Sequence, residues 1–483
     1  MKKYIFILLG LIIQSCSMKS NLDEQLYKIE VDAKFGFINE FGEEVIPPSY
    51  MYATDFNEGV ALVVIDTLFT NNFEKCRYKY NYINHNNKKI FKNDFTLKPS
   101  IGIFFTNDKD KVIEFLSRFN FSCGLALNQE VKDSSLPLYG YINFKGDVII
   151  PHEYMDGLPF SENKTYVQQS IESMLSELKA GQSFSPLHYK NKWKIINSSN
   201  ESLTDYIFCS TANDNISTTP YNCIIPYKNN RSIGFIAINT ADSIKYTANL
   251  LDENGRIIKI MPNIGEEFDA DMSSIGLPKV ENPWKYGLHF TFSENIIVQN
   301  SGALSGFGCS SRFFNTYDGT EIPTFEQLSE ERQLKLKSIP IFRAYLGSEI
   351  PITYAGECAE DLIPCQFMNF KNLGSSWFYV NKHLCIMGTD SNYVFHDALP
   401  FSNGLAAVKK DGKWGYINSD FDLIIPYQYN YAEPFNGNLA KVKIKNGNNQ
   451  IISYINKWGQ VVWQNIEYSD PQIGNINNLD ENR

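Results

Sequence analysis

A short motif that returns along this chain constrains its fold more than any other sequence feature. Three segments share an aromatic residue, glycine, a second aromatic residue, isoleucine and asparagine, and an aliphatic pair with proline follows each one. In the clearest copy, Trp414-Gly415-Tyr416-Ile417-Asn418 precedes Ile424-Ile425-Pro426, and the other two copies begin at Phe35 and Tyr139. Such repetition predicts a fold built from neighbouring copies of one supersecondary unit.

The residues of one copy predict a set of strands and turns. The aromatic–glycine–aromatic–isoleucine run alternates as a half-buried strand does. The Asn-x-x-Gly that follows is typical of a type I turn, with glycine where a positive φ is needed. The aliphatic pair then forms a return strand that ends at proline, because proline has no N–H for the ladder. A Gly-x-Ala-x-Val segment gives a third strand, and Asp411-Gly412 predicts a hairpin from that strand into the next copy.

The turn asparagine, called the anchor here, locates further and more degenerate copies. Asn87 and Asn200 stand at the glycine position of two of them, and asparagine tolerates left-handed backbone geometry. The anchors, one of them an aspartate, are Asn39, Asn84, Asn143, Asn197, Asp252, Asn315, Asn381, Asn418 and Asn456.

These motifs resemble the WG repeat family, also known for its KWG repeats. The resemblance covers most of residues 34–463 and is weakest between residues 200 and 400, where an embedded domain stays an alternative. The resemblance implies that the chain acts as a scaffold more than as an enzyme. We predict an all-β chain of tandem antiparallel β-meander repeats in an open curved array with short helical insertions. A closed β-propeller is the alternative, because a period of ~40 residues suits both.

Segments between the copies predict the insertions and the ends of the array. Apolar helical faces occur over residues 112–119 and 171–178, and a capping box at residues 324–327 opens a helix that reaches about residue 337. Residues 16–33 are expected to form a tether and residues 464–483 a polar, disordered tail.

The first fifteen residues, 1–15, indicate export. Two lysines precede an apolar run over residues 4–13, which is shorter than the ~20 residues that span a bilayer. Residues 13–16, Ile-Gln-Ser-Cys, resemble the lipobox of bacterial lipoproteins, although glutamine is less usual there. The resemblance implies a lipid anchor on Cys16 in the cell envelope, at the outer membrane. An ordinary signal peptide is the alternative, and we expect contact with the membrane through the lipid only.

Charge and cysteine content narrow the choice of partners. The chain has 44 Lys and Arg against 54 Asp and Glu, which argues against nucleic acid, because phosphate binding needs a basic surface. The eight cysteines after Cys16 suit either disulfides or buried thiols, and Cys358–Cys365 and Cys209–Cys223 are close enough in sequence to pair across local loops.

Signatures of catalysis and of cofactor binding are missing from the sequence. It has no Gly-x-Ser-x-Gly, His-Glu-x-x-His or P-loop motif and no pair of histidines at helical metal-binding spacing. The glycine-rich residues 302–308 lack the dinucleotide spacing, and residues 252–255 resemble a calcium loop without its terminal glutamate. We therefore predict no catalytic residue, no metal and no cofactor. His85 and His383 fall in turns, where solvated side chains are expected.

The tryptophans fall into two groups. Trp193, Trp377 and Trp414 occupy the first aromatic position of the repeat, so we expect them in the core. Trp284, Trp458 and Trp463 lie off that position, and exposed aromatic rings of this kind stack on sugars.

Three interpretations of function follow. The favoured one is a lipid-anchored, non-catalytic binding scaffold of the bacterial cell envelope with a protein or glycan partner. The second is a glycan hydrolase, which needs two carboxylates about 5–10 Å apart in a cleft. Its candidates in residues 200–400 are Asp269, Asp271, Glu357, Glu360 and Asp361. The third is a structural envelope protein that associates with itself.

Overall fold

The computed structural model describes most of the repeat region. The described residues are 25–68, 76–99, 103, 106, 108–131, 137–168, 193–204, 225–239, 244–261, 289–293, 295–301, 310–322, 352–369, 374–384, 387, 393–447 and 449–467. Within them the chain forms antiparallel β-sheets and a single helix, so the predicted all-β fold with repeated meanders is confirmed.

The chain divides into two compact units, residues 1–121 and residues 122–483. The first unit contains two sheets. Sheet 1 consists of β1 (Tyr27–Val31), β2 (Lys34–Ile38) and β3 (Glu44–Tyr50), and sheet 2 of β4 (Tyr52–Ala53), β5 (Val60–Leu68), β6 (Arg77–Asn84) and β7 (Phe95–Leu97).

The second unit contains the other seven sheets of the described residues. Sheets 3 to 5 consist of β8 (Leu125–Glu130), β9 (Leu138–Asn143) and β10 (Val148–Tyr154); β11 (Asp156–Gly157), β12 (Lys164–Gln168) and β13 (Trp193–Asn197); and β14 (Ile225–Lys228), β15 (Arg231–Asn239), β16 (Ile244–Leu251) and β17 (Ile257–Ile260). Sheets 6 and 7 consist of β18 (His289–Phe292), β19 (Ile296–Ser301) and β20 (Ser310–Asn315), and of β21 (Ile352–Ala355), β22 (Leu362–Asn369) and β23 (Gly374–Asn381). Sheets 8 and 9 consist of β24 (Asp397–Ala398), β25 (Ala406–Lys410), β26 (Lys413–Ile417) and β27 (Leu423–Tyr429), and of β28 (Tyr431–Ala432), β29 (Leu439–Asn446), β30 (Asn449–Asn456) and β31 (Val461–Glu467).

Each sheet is a meander whose strands follow one another in chain order. The nine predicted anchors each end one strand of a different sheet or directly follow it, so the anchors located all nine sheets. The predicted hairpin at Asp411-Gly412 is confirmed, because β25 pairs with β26 across it and both turn residues have positive φ. A sheet therefore combines the third strand of one sequence copy with the first two strands of the next.

The glycine of the motif is required by a close approach of the return strand. A Cβ atom on Gly415 would lie 2.6 Å from the carbonyl oxygen of Ile425, and one on Gly36 or on Gly140 would lie 2.4 Å from the equivalent oxygen. The return strands β3, β10 and β27 each shift register twice around this point, which marks a bulge. A glycine in a strand often marks such an approach of a second backbone.

The first strand of the motif is buried on both faces, which corrects the predicted half-buried strand. In β26 every residue after Lys413 is buried. The reason is that neighbouring sheets stack: Ile417 lies in a core cluster with Tyr379 of sheet 7, whereas Tyr416 lies in a core cluster with Val442 of sheet 9. Strands covered on both faces do not show clean alternation of apolar and polar residues.

Helix α1 (Lys109–Ser117) confirms one of the predicted insertions. The Asp108 side chain caps its first turn by accepting hydrogen bonds from the Asp110 and Lys111 amides. Val112, Phe115 and Leu116 are buried on the predicted face. The predicted helices at residues 171–178 and 324–337 lie outside the described residues.

The ends of the array are described in part. Strand β31 continues to Glu467, beyond the expected boundary at Trp463, and residues 1–24 and 468–483 lie outside the described residues. In the part of the chain that is described, no helix has the length and apolar character needed to cross a membrane. The open curved array stays a prediction.

Candidate binding surface

The anchor turns are fixed by one repeated set of hydrogen bonds. In the last turn, the Asn456 Oδ1 atom accepts from the backbone amides of Trp458 and Gln460 at 3.1 and 3.0 Å. Its Nδ2 atom donates to Gln460 Oε1 at 2.9 Å. The same two amide contacts, two and four residues after the anchor, occur at Asn39, Asn84, Asn143, Asn197, Asp252 and Asn418. Residues 252–255 are thus a turn of the repeat, as the sequence favoured.

The third residue after eight of the nine anchors has a positive φ, and after Asn315 it is the fourth, Gly319, that does. Gly459 has φ 77°, whereas Asn87 and Asn200 have φ 57° and 64°. Each asparagine has a second role, because Tyr50 Oη donates to Asn87 Oδ1 and Tyr154 Oη donates to Asn200 Oδ1, both at 2.6 Å. The tyrosine belongs to the preceding sheet, so asparagine here links two sheets, which glycine could not do.

The second residue after the anchor points into solvent, and in three turns it is aromatic. Phe41 is 68% exposed, Tyr317 is 77% exposed and Trp458 is 79% exposed. We call these three side chains the turn aromatics. Tyr317 has the Arg231 guanidinium carbon 5.8 Å from its ring centroid, so Phe41 and Trp458 are the two turn aromatics that we consider as candidate binding residues.

The Trp458 turn lies beside an exposed apolar strand of the neighbouring sheet. A Cβ atom on Gly459 would be 3.1 Å from Ile425 Cγ2, which places this turn of sheet 9 against β27 of sheet 8. Leu423 and Ile424 at the start of β27 are 46% and 41% exposed. Trp458, Leu423 and Ile424 are named the C-terminal apolar patch.

A second series of turns, called the tight turns, precedes the third strands and holds the sheets to one another. The Ser402 hydroxyl donates to the carbonyl oxygen of Phe435 at 2.6 Å, and Ser122 donates likewise to Phe160. Within the first unit, Asn57 Nδ2 donates to Phe121 O at 2.8 Å. Since the donor side chain and the accepting carbonyl belong to successive turns, the contact fixes the spacing of adjacent sheets.

Three carboxylates considered for hydrolysis lie at or beside a tight turn and have structural contacts. Glu360 accepts from the Gly404 amide at 2.9 Å, Asp361 pairs with Lys382 at 2.7 Å, and Glu357 pairs with Lys228. Each contact ties the turn to another part of the second unit. Asp269 and Asp271 lie outside the described residues.

The histidines do not converge in the described part of the chain. His85 is stacked on Phe56 with ring centroids 4.3 Å apart, so the expected solvated side chain is wrong for this residue, whereas His383 is exposed as expected. His152 Nε2 contacts Asn128 Oδ1 at 2.8 Å, and His396 Nδ1 accepts from the Asp411 amide. Among the described residues, no cluster of His, Cys, Asp and Glu could hold a metal ion.

The expected core tryptophans are largely confirmed. Trp193 and Trp414 are 2% and 7% exposed, and Trp377 is half-buried. Of the other three, Trp458 is exposed, Trp463 is half-buried, and Trp284 lies outside the described residues.

The described cysteines are thiols. Cys358 and Cys365 pack in the same core cluster without a disulfide between them, and Cys76 and Cys123 are also in the thiol form. Burial raises the pKa of the Cys365 thiol, which keeps it protonated and unreactive. Cys16, the expected lipid anchor, and the Cys209–Cys223 pair lie outside the described residues.

Comparison with solved structures gives weak similarities. An uncharacterized protein from Listeria monocytogenes EGD-e has a TM-score of 0.31 at 7% identity, covering 65% of this chain and 82% of its own. An acylaminoacyl peptidase from Pyrococcus horikoshii has a TM-score of 0.30 at 7% identity, covering 83% of this chain and 58% of the peptidase. Prolyl oligopeptidase B from Galerina marginata has a TM-score of 0.28 at 9% identity, covering 77% of this chain and 51% of its own. Similarity at this level carries no argument about function.

Comparison of sequences identifies the repeat. Among curated protein sequences, none matches the chain. The family model described as WG containing repeat matches residues 35–67, 139–170, 392–414 and 414–448. These segments include the three clearest copies of the motif, with Gly36, Gly140 and Gly415 at the close backbone approach. The chain is therefore a WG-repeat-containing protein.

Proposed function

We propose that this protein is a non-catalytic binding scaffold of the bacterial cell envelope, held at the outer membrane through a lipid on Cys16. Its WG repeats and all-β fold fit a repeat scaffold. The single observation that carries the proposal is the placement of Trp458, 79% exposed on a turn that the Asn456 side chain fixes. A binding site on a rigid element needs less ordering when the partner arrives.

The partner is a glycan or a protein of the envelope that contacts the C-terminal apolar patch. An indole face stacks on the apolar face of a sugar ring or on an apolar side chain, and Asp422 and Lys457 are polar residues next to the patch in sequence. An aromatic anchor with a polar rim is the usual composition of a binding surface.

The binding test compares two residues at the same position of adjacent turns. Trp458→Ala removes the ring, whereas Asp420→Ala changes the matching, exposed position of sheet 8. Purified chain is titrated with a panel of purified envelope polysaccharides and envelope proteins by calorimetry. We expect at least one ligand to lose about 10-fold or more in affinity with Trp458→Ala and to keep its affinity with Asp420→Ala, since a central aromatic contributes about 2 kcal/mol. Equal affinities of both variants for every ligand bound would contradict the proposed surface.

The anchor and the absence of catalysis have separate tests. Cys16→Ser should move the protein out of the membrane fraction of fractionated cells, while Ser17→Ala should leave it there. A membrane-bound Cys16→Ser variant would contradict the lipid anchor.

The absence of catalysis is tested on any glycan that binds. The glycan is incubated with the chain, and the release of reducing ends is measured. If reducing ends are released, and if Glu357→Gln or Glu360→Gln abolishes that release, the hydrolase interpretation is favoured.

A further inference from the structure

Two neighbouring hairpins of the second unit concentrate positive charge in an acidic chain. One joins β25 to β26 and the other joins β29 to β30. Four of their lysines have no carboxylate of the described chain within ion-pair distance, and we call them the lysine cluster: Lys410, Lys413, Lys443 and Lys445. The cluster thus has the opposite sign to the whole chain, whose net charge is −10.

The two hairpins are held side by side through Asn430. Its Oδ1 atom accepts from Lys413 Nζ at 3.0 Å and from the Lys445 amide at 2.8 Å. Its own amide donates to the Lys443 carbonyl oxygen at 2.8 Å. Lys410 lies opposite Lys413 in the register of β25 and β26. These contacts bring the four lysines together at one end of sheets 8 and 9, away from the anchor turns and the C-terminal apolar patch.

Contacts within the fold do not account for this concentration of lysines. Like charges directly opposite each other destabilise a strand pair, and Lys410 faces Lys413. The lysines of sheet 2 are arranged differently, because Asp94 pairs with Lys79 at 3.5 Å and with Lys89 at 2.8 Å. No carboxylate of the described chain has that role in the lysine cluster, so its charge is available to an anion from outside the chain.

We infer that the lysine cluster binds an acidic polysaccharide, whose carboxylates pair with the lysines. Tyr431 provides a contact for the sugar ring, since its side chain is 44% exposed. Lys443 Nζ lies 5.3 Å from the centroid of that aromatic ring. A sugar ring that packs against Tyr431 therefore brings its carboxylate close to the ammonium groups of the cluster.

Other anionic partners fit these residues less well. A loop that docks on a membrane carries apolar side chains that enter the bilayer, whereas the hairpin tips are Asp411-Gly412 and, at residues 446–449, Asn-Gly-Asn-Asn. The core of a protein interface is depleted in lysine. Nucleic acid has a charge on every nucleotide and needs a larger basic surface than four lysines in an acidic chain. The inference does not depend on the ligand of the C-terminal apolar patch.

The test compares polygalacturonic acid with its methyl-esterified form, which has the same backbone without the charge. The full chain in detergent micelles is titrated with each polymer by calorimetry at about 50 mM salt. We expect the acid to bind and the ester not to bind. The affinity for the acid should fall as salt is raised, because salt screens the lysines and opposes the release of counterions. No binding of the acid, or equal binding of the ester, would overturn the inference.

Matched variants separate the cluster from the net charge. Lys410→Gln combined with Lys445→Gln removes two ammonium groups that have no ion pair or hydrogen bond in the described chain, so thermal unfolding should not change. Lys88→Gln combined with Lys92→Gln removes the same charge from exposed lysines of the first unit. We expect the affinity for polygalacturonic acid to fall about 10-fold or more with the first pair and to stay the same with the second.

Three results with these variants would overturn the inference. The first is an equal loss of affinity in both pairs, which would indicate attraction by net charge alone. The second is tighter binding to phosphatidylglycerol vesicles than to polygalacturonic acid, abolished by Lys410→Gln with Lys445→Gln, which would assign the cluster to a membrane surface. The third is the same result with an oligothymidylate, which would assign it to nucleic acid.

Discussion

Sheets 8 and 9 are neighbours with one shared core, yet they follow the repeat to different degrees. Ala407 and Trp414 of sheet 8 pack in the same cluster as Ala440 and Val442 of sheet 9. Both sheets have the anchor turn with the same amide contacts. Sheet 8 has Gly415 and a return strand with proline and two register shifts, whereas sheet 9 has Ser453 at the matching position and a return strand, β31, with no proline and one register shift.

The difference separates two roles within the motif. The anchor turn and the alternating strands are sufficient to build a sheet, because sheet 9 forms without the motif glycine or the proline. The glycine and the proline instead shape the return strand and protect its edge. Degenerate copies keep the first set of residues and lose the second, which explains why the turn asparagine located sheets that the Trp-Gly dipeptide would miss.

The largest expected effect comes from the glycine itself. Gly415→Ala would put Cβ 2.6 Å from the Ile425 carbonyl oxygen, so the bulge must open. We expect a loss of about 3 kcal/mol in the free energy of unfolding, measured by urea denaturation. Ser453→Ala, the matched change in sheet 9, should cost less than about 1 kcal/mol because a Cβ atom is already present. Equal losses in the free energy of unfolding would contradict the view that only sheet 8 requires glycine at this position.

The next effect concerns the contact between the two sheets. Gly459→Ala combines a positive φ of 77° with a Cβ 3.1 Å from Ile425 Cγ2. Gly447→Ala is the control, since Gly447 has φ 62° and open space around it. We expect a loss of about 2 kcal/mol for the first and about 1 kcal/mol for the second, the difference being the contact with β27. A Gly447→Ala loss as large as that of Gly459→Ala would mean that backbone strain alone sets the cost.

A smaller effect is expected from the anchor asparagine, which sheets 8 and 9 share. Asn418→Ala and Asn456→Ala each remove two hydrogen bonds from backbone amides to the anchor Oδ1 atom. Each should lower the free energy of unfolding by about 1 kcal/mol, as loss of a helix cap does. The measurement is urea denaturation of both variants side by side. A loss confined to one sheet would contradict the view that the anchor is the common element.

The smallest effect belongs to the link between the tight turns. Ser402→Ala removes the 2.6 Å hydrogen bond to Phe435 O that connects sheet 8 with sheet 9. We expect a loss of about 0.5–1 kcal/mol in thermal unfolding followed by calorimetry. Ser419→Ala, at an exposed position of the Asn418 turn, is the control and should leave the melting temperature unchanged. Equal melting temperatures of Ser402→Ala and Ser419→Ala would show that this hydrogen bond does not contribute to stability.

The sequence predicted the turns because their chemistry is local. Asn456 and six other anchors accept from amides two and four residues away, and Asn315 and Asn381 accept from the amide two residues away, so the spacing of asparagine and glycine predicts the turn directly. The Phe-Ser pairs at Phe121-Ser122, Phe160-Ser161 and Phe401-Ser402 also repeat in the sequence. The sequence did not predict their role, because each serine donates to a carbonyl oxygen 33 to 66 residues away, and the local sequence does not specify that acceptor.

By itself, the sequence determined the number of sheets, their antiparallel meander order and the position of each anchor turn in the described chain, since these depend on contacts between residues close in sequence. Only the tertiary structure decided which strand faces are covered and which side chains stay in water. Trp414 and Trp458 show why: both belong to the repeats, yet stacking of sheet 9 on sheet 8 buries the first and leaves the second 79% exposed. Burial depends on neighbours distant in sequence, and spacing along the chain does not specify them.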